Sequence, residues 1–521
     1  MRKKPTILMI IDGLGAGNDK DANKLLADHM PTLTQLKKEY PYTRCLSSGM
    51  AVGLPNGQMG NSEAGYMNIG AGRIVYQELT RINKEIQDGT FFTNKVLLDA
   101  LDYCVHKDSN LHIFGLLSDG GVHSHISHLF AILELAKKRD INRVFIHCFL
   151  DGRDCANNTG LDYIHMLQAR MRELSIGEIA SVHGRYYAMD RDGNYDRLKL
   201  SYAALTEGEG MKAANAEDAV RMAYERKESD EFIKPTVIVN GGVPVCTIDD
   251  DDSVIFYNFR ADRARELTHA FCDDDFRSFK RSKKPEVLFT CFSDYDPRIE
   301  NKQVVFEKIP LTNTFGEFLL SSGLRFLRLA ESEKRVQMTY CFNGGTEEIN
   351  SAEEKTVIKS SKVPTYDLRP QMCAEELTTG LIKAVNTDRY DVILIEYANL
   401  DMLGHTANEE ALILAAETVD QCLKRVVAKV MEKDGVLFIC SDHGNAEKIK
   451  DELTGLPYKC HTTNPVPFVM VNYDPAYSLR EGGCLADIVP TVIESMEIEK
   501  PREMTGKSLL MPRSNKGSGT D

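Results

Sequence analysis

Short apolar segments bounded by turns recur along this chain, and they constrain its fold more than any other feature. Residues 6–12 read TILMIID and residues 391–396 read DVILIE, with only apolar residues between the first and last positions. Continuous runs of this kind are typical of strands buried on both faces, as in parallel sheets covered by helices. Helix-compatible segments separate the runs, so the sequence predicts an α/β fold with largely parallel sheets. The other predicted strands are residues 111–119, 143–151, 178–183, 236–240, 253–259, 287–292, 324–330, 436–440 and 466–471.

Length, charge and cysteine content narrow the class of protein. The 521 residues are enough for two or three domains with large cores. A formal net charge of -14 argues against nucleic acid or an anionic membrane as a partner. The 13 cysteines include no CxxC pair, the pattern of reduced thiols. No apolar run is long enough for a signal peptide or a membrane span, so we expect a cytoplasmic protein.

A serine lies between glycines in residues 59–65, which read MGNSEAG, just ahead of a helix-compatible run. Glycines allow the backbone to approach a ligand closely, and the N-terminus of a helix favours a phosphoryl group. Serine needs an activating base or metal to act as a nucleophile at neutral pH. Ser62 is therefore either a helix cap or a metal-activated nucleophile that carries phosphate. Only acidic and histidine residues elsewhere in the chain favour the second interpretation.

Three predicted strands end close to an aspartate. If these strands are adjacent and parallel, the three carboxylates emerge at one edge of the sheet, and the two ends of the chain form one domain around the middle part. Carboxylates with imidazoles suit a pair of Mn²⁺, Mg²⁺ or Zn²⁺ ions, which can ionise a serine and clamp a phosphoryl oxygen. Each residue taken alone also fits a turn cap or a satisfied core position. The candidate ligands are Asp12, Asp401, His405, Asp442, His443 and His461.

Five arginines follow predicted strands of the middle part. Guanidinium groups bind phosphate and carboxylate groups bidentately, so five at equivalent positions predict an anion pocket. For any one of them taken alone, a surface ion pair is the better interpretation. The acidic runs at residues 249–252 and 273–275 lack the spacing of a calcium loop and are predicted to be solvated turns. The arginines are Arg153, Arg185, Arg191, Arg260 and Arg263.

Several blocks of the sequence resemble one enzyme family closely and in order over nearly the whole chain. The blocks are residues 60–63, 68–73, 118–125, 151–154, 184–192, 258–263, 401–406, 441–447 and 461–467. They resemble 2,3-bisphosphoglycerate-independent phosphoglycerate mutases, a family of the alkaline phosphatase superfamily. The resemblance implies two α/β domains with largely parallel sheets. Residues 1–76 and 311–521 would form an alkaline-phosphatase-like, metal-binding core, and residues 77–310 an inserted substrate-binding and phosphotransferase domain.

The same resemblance implies roles for individual residues. Asp401, His405 and His461 would hold one divalent ion, and Asp12, Ser62, Asp442 and His443 the other. The ions would be Mn²⁺, with Mg²⁺, Co²⁺ or Zn²⁺ as alternatives. Ser62 would take the phosphoryl group from 3-phosphoglycerate and return it to the 2-hydroxyl without 2,3-bisphosphoglycerate, a step of glycolysis and gluconeogenesis. The substrate would be held by Arg153, Arg185, Arg191, Arg260, Arg263 and His123, while Asp154 moves protons and Lys334 neutralises phosphate charge.

The resemblance is incomplete at two places and leaves other functions to test. Tyr66 stands where the family commonly has histidine, and Val336 and Gln337 stand where it commonly has alanine and histidine. We expect these differences to affect the surroundings of the site and not the reaction. A phosphatase or phosphopentomutase on the same core, and a phosphate-binding or metal-binding protein without activity, are the alternatives. We expect a monomer acting on a small-molecule substrate.

Overall fold

The computed structural model of the chain describes residues 5–17, 22–347, 353–451 and 454–513. It divides into two compact units. The discontinuous unit comprises Met1–Gln77 and Pro310–Asp521, and the central unit comprises Glu78–Ile309. Among the described residues, no helix has the length and apolar character needed to cross a bilayer.

Strands and helices alternate through both units, as the spacing of the apolar runs predicts. The strands are β1 (Thr6–Ile11), β2 (Tyr42–Leu46), β3 (Leu111–Leu116), β4 (Val144–Leu150), β5 (Glu178–Gly184), β6 (Met211–Ala213), β7 (Thr236–Asn240), β8 (Val243–Pro244), β9 (Ser253–Phe256), β10 (Leu288–Cys291), β11 (Gln303–Val304), β12 (Phe326–Glu331), β13 (Glu354–Ile358), β14 (Val392–Tyr397), β15 (Val436–Cys440), β16 (Val466–Val471), β17 (Tyr477–Leu479), β18 (Gly483–Cys484) and β19 (Leu510–Pro512). The helices are α1 (Ala22–His29), α2 (Pro31–Glu39), α3 (Ser62–Ala71), α4 (Glu78–Asp88), α5 (Lys95–Lys107), α6 (Ile126–Lys138), α7 (Gly160–Leu174), α8 (Arg185–Ala188), α9 (Tyr195–Thr206), α10 (Ala216–Glu225), α11 (Arg265–Cys272), α12 (Phe315–Ser321), α13 (Ala374–Asn386), α14 (Asn399–Gly404), α15 (Glu409–Glu432) and α16 (Ile488–Ser495).

The main sheet of the discontinuous unit has the strand order β13-β12-β14-β1-β15-β16-β2-β18. Strand β1 lies between β14 and β15 and is parallel to both. Ile7, Met9 and Ile11 pack into one hydrophobic cluster, while Leu8 and Ile10 pack into another on the opposite face. This burial on both faces explains why the strand reads as a continuous apolar run. The residues that follow β12, β14, β1 and β15 therefore emerge at the same edge of the sheet.

The main sheet of the central unit has the strand order β11-β10-β9-β3-β4-β5-β7-β6. Strands β9, β3, β4 and β5 are adjacent and parallel, so the segments that follow them also meet at one edge. Strand β7 is antiparallel to β5. The pairing of β4 with β5 contains a register shift after Ile146, which sets His147 opposite Ser181.

The predicted fold class, α/β with largely parallel sheets, is confirmed by this architecture. One local prediction is wrong at a single residue. Residues 249–251 are exposed, as the predicted solvated turn requires, but Asp252 is buried. Its Oδ1 accepts a hydrogen bond from the Asn110 N–H at 2.8 Å, and its Oδ2 accepts one from the Asp249 N–H at 2.9 Å. Composition alone could not separate Asp252 from its exposed acidic neighbours.

Candidate active site

Ser62 is the first residue of α3, and its hydroxyl is not used to cap that helix. The N-cap is Asn61, whose Oδ1 accepts a hydrogen bond from the Ala64 N–H at 2.9 Å. Ser62 Oγ instead lies 3.0 Å from His443 Nε2 and 3.1 Å from Lys334 Nζ. Gly65 permits this close packing, because a Cβ there would lie 2.6 Å from the Asp442 carbonyl oxygen. The helix cap predicted as one role of Ser62 is therefore supplied by Asn61. The Ser62 hydroxyl faces His443 and Lys334 instead.

Four adjacent parallel strands bring charged side chains to this serine. Lys334 follows β12, Asp401 follows β14, Asp12 follows β1, and Asp442 with His443 follows β15. All five side chains are buried. The sheet thus brings together at one edge residues that are more than 400 positions apart in the sequence.

Two groups of ligand-type side chains surround Asp401. In the first group, Asp401 Oδ1 lies 3.3 Å from His405 Nε2 and 3.4 Å from His461 Nε2. The two histidine nitrogens are 3.1 Å apart. Oxygen and nitrogen ligands at about 2.1 Å from one ion lie about 3.0–3.5 Å from each other, so these spacings fit a single divalent cation.

The second group is centred on His443. Its Nε2 lies 3.4 Å from Asp12 Oδ1, 3.4 Å from Asp442 Oδ2 and 3.9 Å from Asp401 Oδ1. Asp12 Oδ1 and Asp442 Oδ2 are buried and have no hydrogen-bond partner among the described residues. Buried carboxylate oxygens without a donor are costly unless a cation satisfies them. The donor set of both groups is therefore suited to a pair of divalent ions, with Asp401 near both.

The outer nitrogens of all three histidines face backbone carbonyl groups. His405 Nδ1 is 2.8 Å from the Lys459 oxygen, and His461 Nδ1 is 2.8 Å from the Gly60 oxygen. His443 Nδ1 is 3.3 Å from the Gly444 oxygen. An Nδ1–H that donates to a carbonyl leaves the Nε2 lone pair directed at the site, which is the usual arrangement for a metal-binding histidine.

Lys334 supplies part of the positive charge that this group of carboxylates needs. Its Nζ lies 2.6 Å from Asp12 Oδ2 and 2.7 Å from Asp401 Oδ2. Burial acts to lower the pKa of Lys334, but Asp12 and Asp401 raise it well above its ordinary value. Burial and then Asp442 raise the pKa of Asp12 to about 8, and burial lowers the pKa of His443 to about 4. Further positive charge is therefore needed to keep Asp12 ionised at neutral pH, while His443 is already neutral and able to bind a cation.

A second set of charged residues lies in the central unit. Arg185 begins α8, is buried, and its Nη1 donates to Asp151 Oδ1 and to Asp154 Oδ2, both at 2.6 Å. His123 Nε2 is 3.9 Å from Asp154 Oδ2, and its Nδ1 is 3.5 Å from Asp262 Oδ1. Burial and then Arg185 lower the pKa of His123 to about 4, so its ring is neutral at pH 7. This set therefore places a carboxylate, Asp154, close to the neutral imidazole of His123.

Arg191, Arg260 and Arg263 also follow strands of this sheet, and two of them share the partner Asp262. Asp262 Oδ2 accepts a hydrogen bond from Arg191 Nη1 at 2.9 Å, and Asp262 Oδ1 is 3.2 Å from Arg260 Nε. Burial, followed by the charges of Arg191 and Arg185, lowers the pKa of Arg263. Cations that repel one another in this way favour a bound anion.

Four of the five predicted arginines line one cavity of the central unit, with a volume of about 340 Å³. They are Arg153, Arg185, Arg191 and Arg263. Arg197 lines it as well and was not predicted; its guanidinium lies 4.0 Å from the centre of the Tyr186 ring. Arg260 and His123 are not among the lining residues. The cavity is large enough for a small phosphorylated acid.

Comparison with known proteins identifies the family. The family description "BPG-independent PGAM N-terminus (iPGM_N)" matches residues 82–297, inside the central unit. The 2,3-bisphosphoglycerate-independent phosphoglycerate mutase of Lachnoclostridium phytofermentans is 53% identical over 514 residues, which cover 98% of this chain and 100% of that protein. The chain belongs to the 2,3-bisphosphoglycerate-independent phosphoglycerate mutase family.

Other members are similar over the same length. The enzyme of the same name from Clostridium perfringens strain 13 is 51% identical over 511 residues, covering 98% of this chain and 100% of that one. Among solved structures, a Leishmania mexicana phosphoglycerate mutase at low cobalt concentration is 30% identical, with a TM-score of 0.57 and 98% of each chain covered. The chain is therefore an enzyme of the cofactor-independent mutase class, as the sequence blocks indicated.

Two residues that support the mutase site were not singled out from the sequence. Asn445 Nδ2 donates to Asp401 Oδ1 at 2.7 Å. Glu447 Oε2 accepts hydrogen bonds from the Gly15 N–H at 3.1 Å and the Asn445 N–H at 2.9 Å, which ties together the segments after β1 and β15. Both residues lie in the block 441–447, so their place in that block was the available signal.

The positions that depart from the family pattern are not among the hydrogen-bond partners of Ser62 Oγ, which are His443 and Lys334. Tyr66 lies one helical turn after Ser62, is fully buried, and its hydroxyl has no hydrogen-bond partner among the described residues. Val336 is exposed, and Gln337 begins a short π-helix. No chemical role in the mutase is assigned to these three side chains.

Proposed function

We propose that this enzyme interconverts 3-phosphoglycerate and 2-phosphoglycerate without 2,3-bisphosphoglycerate, through a phosphoserine at Ser62. The observation that carries the proposal is the position of Ser62 Oγ, 3.0 Å from His443 Nε2 and 3.1 Å from Lys334 Nζ, beside two groups of ligand-type side chains. Serine becomes a nucleophile when its hydroxyl is deprotonated, and a site of this kind favours the alkoxide.

The residues around Ser62 have separate tasks in this mechanism. Two divalent ions, when bound, would lower the pKa of the Ser62 hydroxyl and offset the charge of the phosphoryl oxygens. Lys334 donates to Ser62 Oγ and remains close enough to donate to a phosphoryl group formed there. Ser62 is the first residue of α3, and the positive end of a helix dipole favours an anion at that position.

We propose Mn²⁺ as the metal, bound by Asp401, His405 and His461 in one group and by Asp12, Ser62, Asp442 and His443 in the other. Oxygen and imidazole donors without a thiolate suit Mn²⁺, Mg²⁺, Co²⁺ and Zn²⁺. The Leishmania relative was studied at low cobalt concentration, so Co²⁺ belongs in any metal comparison. A monomeric state, a cytoplasmic location and a role in glycolysis stay predictions.

A mutase must retain glycerate while its phosphoryl group is attached to the enzyme. We propose that Arg153, Arg185, Arg191, Arg260 and Arg263, with His123, hold the carboxylate and phosphate groups of the substrate. Asp154 is the candidate proton carrier between the 2- and 3-hydroxyls, since its Oδ2 lies 2.6 Å from Arg185 and 3.9 Å from His123. Water that reached the phosphoserine would turn the mutase into a phosphatase, so retention of glycerate also protects the reaction.

The direct test measures conversion of 3-phosphoglycerate with no added bisphosphate, before and after complete chelation. We expect full activity before chelation, loss of activity after it, and recovery with Mn²⁺. Inorganic phosphate and free glycerate are measured in the same samples. Release of phosphate in place of 2-phosphoglycerate would indicate a phosphatase, and activity that survives complete metal removal would contradict the metal-dependent mechanism.

Arg185→Lys is expected to raise the KM for 3-phosphoglycerate by about 100-fold, because one ammonium group cannot reproduce the two fixed donors that Arg185 presents. Steady-state kinetics would measure the effect. The control is Arg139→Lys, at an exposed arginine of the same unit that pairs with Asp102. An unchanged KM in Arg185→Lys would remove this arginine from the substrate site.

A further inference from the structure

A continuous row of buried polar side chains crosses the main sheet of the central unit. We call it the histidine relay. All of its members are buried, although polar groups are rare in the middle of a parallel sheet. The mechanism proposed above uses none of them. In order, the relay consists of Asp252, His112, His147, Ser181, His183 and Ser201.

Each neighbouring pair in the relay is within hydrogen-bonding distance. His112 Nε2 is 3.1 Å from Asp252 Oδ2, and His112 Nδ1 is 3.0 Å from His147 Nε2. His147 Nδ1 is 2.7 Å from Ser181 Oγ. Ser181 Oγ is also 2.7 Å from His183 Nε2, and His183 Nδ1 is 3.2 Å from Ser201 Oγ. The register shift between β4 and β5 sets Ser181 opposite His147, which closes the row.

A neutral row, with one proton on each histidine, sets the direction of every bond. The Asp252 carboxylate only accepts, so His112 donates from Nε2. A neutral His112 then accepts at Nδ1 from His147 Nε2–H, and His147 accepts at Nδ1 from the Ser181 hydroxyl. Ser181 has used its proton, so it accepts from His183 Nε2–H, while the Ser201 hydroxyl donates to His183 Nδ1. In such a row each histidine carries its proton on Nε2, and every bond points toward Asp252.

The protonation states agree with this pattern. Burial lowers the pKa of His183 to about 3, and burial together with His112 lowers the pKa of His147 well below its usual range. Burial acts to raise the pKa of Asp252, but the hydrogen bond from His112 and those from the Asn110 and Asp249 N–H groups bring it below its ordinary value. At neutral pH the row thus holds one negative charge, on Asp252, and no positive charge on His147 or His183.

The members of the relay belong to the elements that carry the substrate-binding residues. His112 lies on β3, which precedes His123, and His147 lies on β4, which precedes Arg153 and Asp154. His183 lies on β5, two residues before Arg185, and Ser201 lies on α9. Asp252 directly precedes β9, the strand that leads to Arg260 and Arg263. One row of hydrogen bonds therefore links all four strands whose ends form the anion site.

We propose that the histidine relay is a positioning device. It fixes the offset of β9, β3, β4 and β5 along the strand direction, and in this way it fixes the positions of the arginines that follow these strands. The proposal rests on the proposed function, because it assumes that these arginines hold the substrate. Strands in a sheet can slip or tilt slightly, and a row of directional bonds across them allows one arrangement. The relay residues touch no substrate and act through Arg153, Arg185, Arg260 and Arg263.

The first test reads the protons in the unaltered enzyme. Nitrogen NMR of protein labelled with ¹⁵N-histidine distinguishes Nε2–H, Nδ1–H and doubly protonated rings, and single His→Gln variants assign the signals. We expect His112, His147 and His183 to carry their protons on Nε2 at neutral pH, and we expect His147 and His183 not to titrate between about pH 6 and about pH 8. An Nδ1–H ring at any of the three positions would overturn the relay, whether or not the enzyme is a mutase.

The second test asks whether the relay positions the substrate site. His147→Phe breaks the row at its centre and is expected to raise the KM for 3-phosphoglycerate about tenfold with kcat within about threefold, the pattern of lost substrate binding. His147→Gln keeps a donor and an acceptor and should restore most of the affinity. If His147→Phe fails to fold, Ser201→Ala takes its place in the test. This smaller change at the end of the row should raise KM by about threefold.

Cys148→Ala is the control, because Cys148 is the buried neighbour of His147 on β4 but packs in the hydrophobic cluster on the other side. It should lower the melting temperature without changing KM. If folded His147→Phe and Ser201→Ala variants lose stability but keep the KM of the unaltered enzyme, the relay stabilises the fold without positioning the arginines, and the proposal is wrong. If the unaltered enzyme shows no mutase activity, the proposed function fails, and the NMR result still stands by itself.

Discussion

Replacing Ser62 with alanine is expected to lower kcat by about 10,000-fold or more while the fold persists. The hydroxyl is the only part of this side chain that the proposed reaction uses, and its removal leaves no atom to accept the phosphoryl group. The helix cap remains, because Asn61 and not Ser62 accepts the hydrogen bond from the Ala64 N–H. Circular dichroism and the melting temperature should therefore match those of the unaltered enzyme. Mass spectrometry of enzyme quenched during turnover should show one added phosphoryl group only when Ser62 is present.

Ser321→Ala provides the matched control for this prediction. Ser321 lies on α12 in the same unit, and its hydroxyl donates to the Phe318 carbonyl oxygen. Its replacement should leave both kcat and phosphoenzyme formation unchanged. Substantial mutase activity in Ser62→Ala would falsify the assignment of Ser62 as the nucleophile, because another group would then have to accept the phosphoryl group.

Asp401→Asn is expected to reduce kcat by about a thousandfold and to lower the bound metal below two ions per chain, since several kcal/mol of charge stabilisation are lost. A single oxygen, Asp401 Oδ1, lies 3.3 Å from His405 Nε2, 3.4 Å from His461 Nε2 and 3.9 Å from His443 Nε2. One neutral amide therefore weakens both ligand groups. Inductively coupled plasma mass spectrometry of the dialysed protein measures the metal content independently of activity.

The control for this second prediction is Asp420→Asn. Asp420 is a buried carboxylate of α15 that accepts hydrogen bonds from the Thr32 and Leu33 N–H groups, both at 3.0 Å. Its replacement should cost stability and leave the metal content unchanged. If Asp401→Asn retained two ions with unchanged affinity, the shared position of Asp401 between the two ligand groups would be wrong.

The parallel core and the candidate ligands were predictable from the sequence for a physical reason. Strands buried on both faces must be apolar throughout, so β1, β14 and β15 are recognisable as runs, and an aspartate after such a run lies at the sheet edge. The order β12-β14-β1-β15 was not predictable from the runs. It depends on contacts between segments that are far apart in sequence, which no local pattern reports.

Local chemistry also set limits on what the sequence could decide. Asn61 and Ser62 are both good helix caps, and only the backbone geometry, with Asn61 extended at φ -152° and ψ 162°, assigns the cap to Asn61. The acidic neighbours of Asp252 indicate a solvated turn. Its buried position could not be predicted, because its partner His112 is 140 residues away in the sequence. Arg197 carries no signal beyond being one more arginine on a helix. Residues of this kind become recognisable only when the fold supplies their partners.

The central position of β1 has a consequence for how this enzyme is made. Thr6 pairs with Val392 and with Val436, so the strand at the middle of the sheet leaves the ribosome long before either neighbour exists. At about 5–20 residues per second, roughly 20 to 80 s pass before β14 is synthesised. The central unit is continuous from Glu78 to Ile309 and can fold during that interval. The nascent chain must meanwhile keep an unpaired strand, apolar on both faces, from aggregating, which makes β1 the segment where we expect chaperones to bind first.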